Sequence, residues 1–297
     1  MQEKISYTCE ICNNEMKNWQ LSTSDILLQC PKCLHIKRDM ELCNANAREH
    51  AWGGSSFFDK IRNYLTYKQL FRIMKRQNRT EQNRTEQNKK KVLEIGFGYG
   101  DILARFLDDG YKISGVDLET LDIGINEAVK AQGNLILGKA ENVQLKDEEF
   151  ELIYAIHLVE HLDAPKSVFE KCYNALKKDG ILFFITPNAN SKGLKIFKDS
   201  WWNLEDPTHL RFFSEESITI LLRQVGFQNI EISIPIWDSV TLEINSLIRK
   251  ISKKSKVYGA LNSLLVKFIN IALLPFSMLI RFFYPKISAS LMVKATK

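Results

Sequence analysis

Short apolar segments alternate with amphipathic stretches through the middle of the chain, and this alternation predicts strands and helices in turn. Five apolar segments predict buried strands, at 92–95, 112–117, 134–137, 150–156 and 181–186. Helices are predicted from about residue 101, over 121–132 and over 213–227, the last with Ser214 as its N-cap and Gly226 at its end. Further strands are predicted at 229–234 and 289–295. This order predicts a doubly wound α/β sheet of seven strands.

A turn rich in glycine follows the first of these strands, in the sequence KVLEIGFGYGDIL over 91–103. Its glycines let the backbone lie against a ligand, because no Cβ holds that ligand away. The fingerprint of nicotinamide cofactors would need a further glycine at position 101, where this chain has Asp101. An acid there would repel a pyrophosphate. A cationic sulfonium, by contrast, is compatible with both Asp101 and Glu94. The turn contains Gly96, Gly98 and Gly100.

The second strand ends in an acid that fits a nucleoside. Asp117 lies 21 positions after Gly96, and Leu118 follows it. A carboxylate at the tip of the second strand can accept hydrogen bonds from both hydroxyls of a ribose. The glycine turn and Asp117 therefore predict a site for a nucleoside cofactor.

Taken together, the motifs E-x-G-x-G-x-G, GVD, EHL and KKDGILFFITPN resemble those of class I S-adenosylmethionine-dependent methyltransferases across about residues 91–226. The resemblance implies a Rossmann-like sheet and S-adenosylmethionine as cofactor. Many relatives carry an acid in a Gly-Asp-Ala sequence after the third strand; here the sequence is Gly-Lys-Ala-Glu, and Glu141 is the candidate for the adenine contact. The implied cofactor-binding residues are Glu94, Gly96, Gly98, Gly100, Asp117, Leu118 and Glu141.

Histidines follow the fourth and fifth strands, where ligands bind in open α/β sheets. One hypothesis makes His161 or His209 the general base that takes a hydroxyl proton, a task that imidazole suits near neutral pH. A second has a divalent metal bound by His157, Glu160, His161 and His209, an arrangement that resembles the small-RNA 2′-O-methyltransferases. A third gives Glu160 and His161 only a capping and anchoring role. The candidate catalytic residues are Glu160, His161 and His209.

Two CxxC motifs near the N-terminus predict a structural zinc ribbon. Each CxxC turn directs two thiolates at one centre, and four sulfurs complete a closed tetrahedral site without an open position for catalysis. A segment of about 45 residues cannot build a sufficient core alone, so zinc would supply its folding energy. The predicted zinc ligands are Cys9, Cys12, Cys30 and Cys33.

Composition and patterning predict three regions. The 297 residues, 45% of them hydrophobic, suffice for one large core and a small appendage. We predict a zinc ribbon over 1–45, a helical connector and low-complexity linker over 46–91, and a methyltransferase domain over 92–297. In the connector, a helix over 52–76 precedes the repeated QNRTE of 77–86, and that helix either covers the cofactor cleft or packs as a connector.

An apolar insertion at about 245–287 separates the last two predicted strands. Polar residues and Pro275 divide its apolar run into pieces shorter than the ~18 residues that a spanning helix needs. A basic cluster beside an apolar helical pair is what a peripheral membrane anchor requires, so residues 249–285 are one candidate contact with a membrane. The alternative is a helical hairpin packed on the core or in a dimer.

The acceptor is predicted from the resemblance and from an absent motif. No Asn-Pro-Pro-Tyr sequence, a mark of many amino-group methylases, is present, which favours an oxygen acceptor. The chain resembles bacterial methyltransferases of surface-polysaccharide or glycolipid pathways, which implies a sugar hydroxyl on a glycan or lipid-linked sugar. The net charge of +6 permits nucleic acid without requiring it. The open alternatives are an rRNA or tRNA methyltransferase, a nucleotide-sugar carbon-methyltransferase and a non-catalytic cofactor-binding module.

The location predicted from the sequence is cytoplasmic, at the inner face of the membrane if the insertion is an anchor. The chain does not open with an apolar signal segment, which is the basis of this expectation.

Overall fold

A computed structural model describes residues 7–43, 56–78, 90–118, 124–251 and 264–297. Most of the QNRTE repeat and the lysines between the two insertion helices lie outside these residues. The chain divides into two compact units. The first contains Met1–Gly53, Thr186–Leu221 and Ile232–Leu291, and the second contains Gly54–Ile185, Leu222–Glu231 and Met292–Lys297.

The described residues form eleven strands and eight α-helices. The strands are β1 (Lys17–Gln20), β2 (Ile26–Gln29), β3 (Ile36–Lys37), β4 (Lys91–Ile95), β5 (Lys112–Asp117), β6 (Asn134–Leu137), β7 (Phe150–Ile156), β8 (Leu176–Pro187), β9 (Arg211–Phe212), β10 (Gln228–Ser233) and β11 (Ser290–Thr296). The helices are α1 (Ser56–Asn78), α2 (Asp101–Asp108), α3 (Glu127–Gln132), α4 (Pro165–Ala175), α5 (Lys192–Phe197), α6 (Glu215–Val225), α7 (Leu242–Ile251) and α8 (Leu264–Phe283).

The larger sheet, built mainly from the second unit, has seven strands in the order β10-β11-β8-β7-β4-β5-β6. The pairs β4–β5, β4–β7, β5–β6 and β7–β8 are all parallel. Chain order runs outward from β4 to β6 on one side and then resumes at β7 on the other. This reversal creates a switch point between β4 and β7, which is where ligands bind in open α/β sheets. The prediction of a doubly wound, Rossmann-like sheet of seven strands is confirmed.

The predicted helix over 121–132 is longer than the helix that forms. Within the described residues α3 begins only at Glu127, because the Asn126 side chain accepts hydrogen bonds from the Ala128 and Val129 amides and caps it there. Gly124, just before the cap, has a φ of +94°. The predicted cap of α6 is present, with Ser214 Oγ accepting from the Ser217 amide at 3.0 Å.

The first unit contains a four-stranded sheet in the order β1-β2-β3-β9. The cysteine motifs flank β1 and β2, and β3 pairs antiparallel with β9, a strand far along the chain. Residues from both parts of the sequence share one buried cluster: Leu21, Leu27, Ile36, Cys43, Ala189, Leu194, Phe197, Trp201, Leu204, Phe212, Leu242 and Ala289. The cysteine-rich segment therefore obtains its apolar core from residues of the 186–291 region.

The insertion forms α7 and α8, and one sequence prediction about it was wrong. The apolar run is not broken into short pieces, because α8 continues through Asn270 and Pro275 as one helix of 20 residues. Asn270 and Arg281 face the buried side, where Asn270 Nδ2 donates to Asn245 Oδ1 and Arg281 donates to the Ile236 carbonyl. By length and composition α8 could cross a membrane. Only 17% of its most apolar stretch is buried, unlike the core helix of a soluble protein.

In the second unit, α1 packs along α2 through aromatic side chains. The Phe106 ring lies 5.3 Å from that of Tyr67, 5.1 Å from Tyr111 and 5.8 Å from Tyr154, measured between centroids. Phe106 is fully buried and so joins α1, α2 and the sheet in one core. This packing is what the connector alternative predicts for the helix before the first strand, and a role in covering the cofactor cleft stays a prediction.

We expect Phe106→Ala to lower the free energy of unfolding by about 3–5 kcal/mol, because it leaves a cavity among three rings. Urea unfolding followed by circular dichroism measures the change. Leu107→Ala, at the adjacent, only partly buried position, should cost much less. Equal losses for the two variants would mean that Phe106 does not join these elements.

Candidate active site

The turn between β4 and α2 depends on glycine. Gly96, Gly98 and Gly100 have φ values of +78°, +53° and +76°, which side chains with a Cβ rarely adopt. A Cβ on Gly96 would lie 2.9 Å from Leu158 Cδ1, in the turn that follows β7. The loops after β4 and β7 are thus in direct contact at the switch point of the sheet.

Asp117 at the end of β5 is bound to this turn. Its Oδ2 accepts a hydrogen bond from the Gly98 amide at 2.7 Å, and its Oδ1 accepts from the Leu118 amide at 2.7 Å. Burial raises the pKa of Asp117, although both amide hydrogen bonds act to lower it. Each oxygen keeps a second lone pair, so the carboxylate can still accept from two hydroxyl groups.

The surroundings of the glycine turn are acidic. Glu94 is buried in β4, and the Tyr154 hydroxyl donates to its Oε2 at 3.0 Å. Burial raises the pKa of Glu94 well above its usual value, and the charges of Asp117 and Asp101 raise it further. A cationic ligand would stabilise all three carboxylates, because an opposite charge favours the ionised form. The residues present therefore fit a sulfonium cofactor.

Two contacts near this turn have no signal in the sequence. Asn63 in α1 donates to Asp101 Oδ2 at 3.0 Å, beside Gly100. The second is the Tyr154 hydroxyl on Glu94. Both join residues far apart in the chain, and neither belongs to a motif.

Glu141 is held at the start of α4 in this structure. Its Oε1 accepts from the Asp163 amide at 2.8 Å, and its main-chain oxygen accepts from Lys171 Nζ. Lys139 forms an ion pair with Asp163 at 3.2 Å. The contact of Glu141 with adenine stays a prediction.

The turn after β7 contains the first group of candidate catalytic residues. Val159–His161 form a single 3-10 turn, and His157 before it has a left-handed φ of 52°. Glu160 is fully buried, with Oε1 3.4 Å from His157 Nδ1, and one of its oxygens lies within 4.8 Å of a His161 ring nitrogen. The three polar groups therefore lie close together, and their role as base, metal ligands or anchors stays a prediction.

His209 lies in the first unit, in the loop before β9. Its Nδ1 is 2.8 Å from the carbonyl oxygen of Asn203, which can only accept, so Nδ1 carries the proton. Nε2 is then the basic nitrogen, and Asp206 Oδ2 lies 3.5 Å from it. The geometry suits a histidine that takes up a proton at Nε2.

The cysteine-rich segment holds this histidine loop in place. Arg38 donates to the carbonyl oxygens of Leu204 and Asp206, each at 2.8 Å, and also to that of Cys43. In the first CxxC motif, Glu10 binds Arg211 through both carboxylate oxygens, at 2.6 and 3.0 Å. Burial disfavours the charge of Glu10, yet hydrogen bonds from His35 and Arg211 outweigh burial and lower its pKa to about 2. The sequence does not mark Arg38 as part of the site.

The four cysteine sulfurs fit a zinc ion. Their Sγ atoms all lie within 4.8 Å of one another, with 3.6 Å between Cys9 and Cys33 and 3.4 Å between Cys12 and Cys30. Zn–S bonds of about 2.3 Å in a tetrahedron place sulfurs about 3.8 Å apart. The hydrogen bond with Cys33 lowers the pKa of Cys9 to about 4. Zn²⁺ at this centre is a proposal that these distances support.

Comparison with known proteins identifies the family. The Methyltransferase domain family matches residues 50–232, which is more than half of the chain. The chain belongs to this family. The matched region contains the glycine turn, Asp117, the turn after β7 and His209, and the cysteine motifs and α8 lie outside it.

Curated relatives of the methyltransferase domain are similar over part of their length. A ubiquinone biosynthesis O-methyltransferase of Photobacterium profundum is 30% identical over 108 residues, which are 35% of this chain and 46% of that one. One from Hydrogenovibrio crunogenus is 28% identical over 149 residues, which are 46% of this chain and 61% of that one. The chain thus spans about half the length of such relatives.

Solved structures show the same fold at low identity. A Galdieria sulphuraria protein assigned as a sarcosine dimethylglycine methyltransferase superposes with a TM-score of 0.55 at 14% identity, covering 86% of this chain and 94% of that one. Phosphoethanolamine N-methyltransferase 2 of Haemonchus contortus, in complex with S-adenosyl-L-methionine, superposes with a TM-score of 0.50 at 16% identity. The match covers 72% of this chain and 50% of that one.

We expect Asp117→Asn to weaken S-adenosylmethionine binding at least about tenfold, a loss of about 1.4 kcal/mol, because the amide cannot accept on both sides. Wild-type affinity should fall as the pH is lowered through the raised pKa of Asp117, because only the ionised carboxylate accepts from both hydroxyls. Titration calorimetry at several pH values measures both effects. Asp147→Asn, at an exposed acid, is the matched control. Unchanged affinity in Asp117→Asn would show that the ribose is held elsewhere.

We expect Arg38→Lys to lower turnover about tenfold or more and leave cofactor affinity unchanged, because one ammonium cannot replace a guanidinium that binds three carbonyl groups. Stripping zinc with a chelator should act in the same direction. Steady-state rates and calorimetry separate the two properties. Arg72→Lys, at an exposed arginine of α1, should change neither. Loss of affinity together with rate would contradict this role of the ribbon.

Proposed function

We propose that the chain is an S-adenosylmethionine-dependent methyltransferase. The observation that carries the proposal is the Asp117 carboxylate, hydrogen-bonded to the Gly98 amide between two strand ends of a methyltransferase fold. Membership of the methyltransferase domain family supports it, as do the acidic surroundings of the turn, which favour a cation over a pyrophosphate.

The bound cofactor supplies a methyl group already activated by a sulfonium. The chain has then to hold the ribose with Asp117, align the acceptor oxygen and remove one proton. We propose that His209 Nε2 accepts that hydroxyl proton, since Nδ1 is occupied by the Asn203 carbonyl. Asp206 stabilises the imidazolium that results. Glu160 and His161 are the alternative proton acceptor or the ligands of a second divalent metal.

The acceptor we propose is a hydroxyl group of a sugar in a glycan or lipid-linked glycan. Relatives named as O-methyltransferases support an oxygen acceptor. The sugar rests on the resemblance in sequence to methyltransferases of surface-polysaccharide and glycolipid pathways. The second candidate is an intermediate of ubiquinone biosynthesis, which the names of the curated relatives favour.

Incubation with radiolabelled S-adenosylmethionine and separate acceptor pools tests the substrate class. We expect label in membrane glycolipids and not in RNA or free nucleotide sugars. Label in a quinone extract alone would establish the second candidate. Label in RNA alone, with a rate that falls steeply as salt rises, would overturn the glycan proposal.

We expect His209→Asn to leave cofactor affinity unchanged and to lower turnover by about 10²–10⁴, because the amide can donate to Asn203 but cannot take up a proton. His161→Asn, measured beside it by calorimetry and steady-state rates, decides which histidine is the base. If His209→Asn keeps the full rate while His161→Asn loses it, the proton passes to His161.

A further inference from the structure

The buried and exposed sides of α8 are reversed in polarity compared with those of an ordinary surface helix. A surface helix normally turns apolar residues inward and polar residues to water. In α8 the buried residues are polar: Asn270, Ser277 and Arg281, spaced seven and four apart along one stripe. Large apolar side chains occupy the opposite side and are exposed.

The polar stripe is fixed by specific contacts within the first unit. Asn270 Nδ2 donates to Asn245 Oδ1 at 2.9 Å, and Ser277 Oγ donates to the Val240 carbonyl at 3.1 Å. Arg281 is fully buried and binds Glu243 Oε2 at 2.6 Å and several carbonyl oxygens of residues 236–239. Rotation of α8 to bury its apolar side would turn Arg281 to water and leave the largely buried Glu243 carboxylate without its cation, which is costly. The apolar side is therefore held outward.

The outward side forms one apolar surface along the whole helix, which we name the α8 face. Phe268 and Phe276 are 69% and 62% exposed, and the surface extends over more than five turns. Contiguous apolar surfaces of this kind mark sites of contact with proteins or membranes. The α8 face comprises Leu264, Leu265, Phe268, Ile271, Phe276, Leu279, Phe282 and Phe283.

The sequence that forms and flanks α8 is basic. Residues 244–297 contain no Asp or Glu. Three lysines precede the helix, and Lys267 is exposed within it. Cations beside an apolar helix face complement the anionic headgroups of a bilayer. Among the described cations, Lys267 in α8 and Lys286 just after it are exposed, whereas Arg249 and Arg281 are paired with Glu205 and Glu243.

We propose that α8 lies in the plane of an anionic lipid bilayer, with the α8 face in the acyl boundary and the exposed Lys267 and Lys286 at the headgroups. The stripe bound to residues 236–245 keeps one side of the helix on protein, which excludes lipid from surrounding it as in a spanning helix. Pairing of two copies through this face would bring the exposed Lys267 of both copies to one interface, and like charges disfavour it. The occupant is lipid.

Flotation with vesicles tests the proposal without any substrate. Purified wild-type protein should float with vesicles of phosphatidylcholine and phosphatidylglycerol, and much less with phosphatidylcholine alone. About 0.5 M NaCl should weaken the binding. Phe268→Glu with Phe276→Glu should lower the partition coefficient at least about tenfold, because two exposed aromatic anchors become acids. Neither residue is buried, so circular dichroism and S-adenosylmethionine affinity should stay unchanged.

The matched control is Ile61→Glu with Tyr64→Glu, which adds the same charge at two exposed apolar positions of α1. Its partition coefficient should equal that of the wild type. Flotation unaffected by the α8 variant, or absent for the wild type, would overturn the proposal. A wild-type dimer that the α8 variant converts to a monomer, without vesicle binding, would identify the α8 face as an interface between copies.

Discussion

The hydrogen bond from the Gly98 amide to Asp117 joins the ends of two neighbouring parallel strands and fixes the geometry of the candidate site. It requires a left-handed backbone at the glycine turn, which in turn leaves space for Leu158 from the loop after β7. The hydrogen bond and this contact thereby connect the ends of β4, β5 and β7. Burial makes this arrangement costly for free carboxylates, since the pKa values of both Asp117 and Glu94 are raised. A cationic nucleoside would offset that cost, because an opposite charge favours the ionised form of both carboxyl groups.

The first unit contains the cysteine-rich segment, the loop with His209 and helix α8. The cysteine-rich segment shares a buried cluster with the 186–291 region and adds three strands to β9. Its Arg38 and Glu10 bind the loop that carries His209. Zinc at the four cysteines would thus stabilise a ribbon and, through it, the position of a candidate base. The same unit contains α8, whose buried polar stripe gives it an outward apolar side.

Local patterns were sufficient to predict most of the larger sheet. The strands at 92–95, 112–117, 134–137 and 150–156 were predicted within one residue of their ends, because buried parallel strands are short apolar runs bounded by turns. Helix α3 was predicted too long, since amphipathic spacing alone does not show that Asn126 caps the helix. The apolar run of α8 was predicted to be divided by its polar residues. The hydropathy of single residues does not reveal that Asn270 and Arg281 have partners.

The sequence alone determined the glycine turn, the acid at the tip of β5 and the two CxxC motifs, because each depends on residue types at short spacing. Only the tertiary structure decided what surrounds them. Three hydrogen bonds join residues that are distant in the chain. They run from Tyr154 to Glu94, from Asn63 to Asp101, and from Arg38 to the loop that contains His209. The orientation of α8 was likewise decided by contacts with residues 236–245. A side chain's neighbours across elements follow from how those elements pack, and no local pattern carries that information.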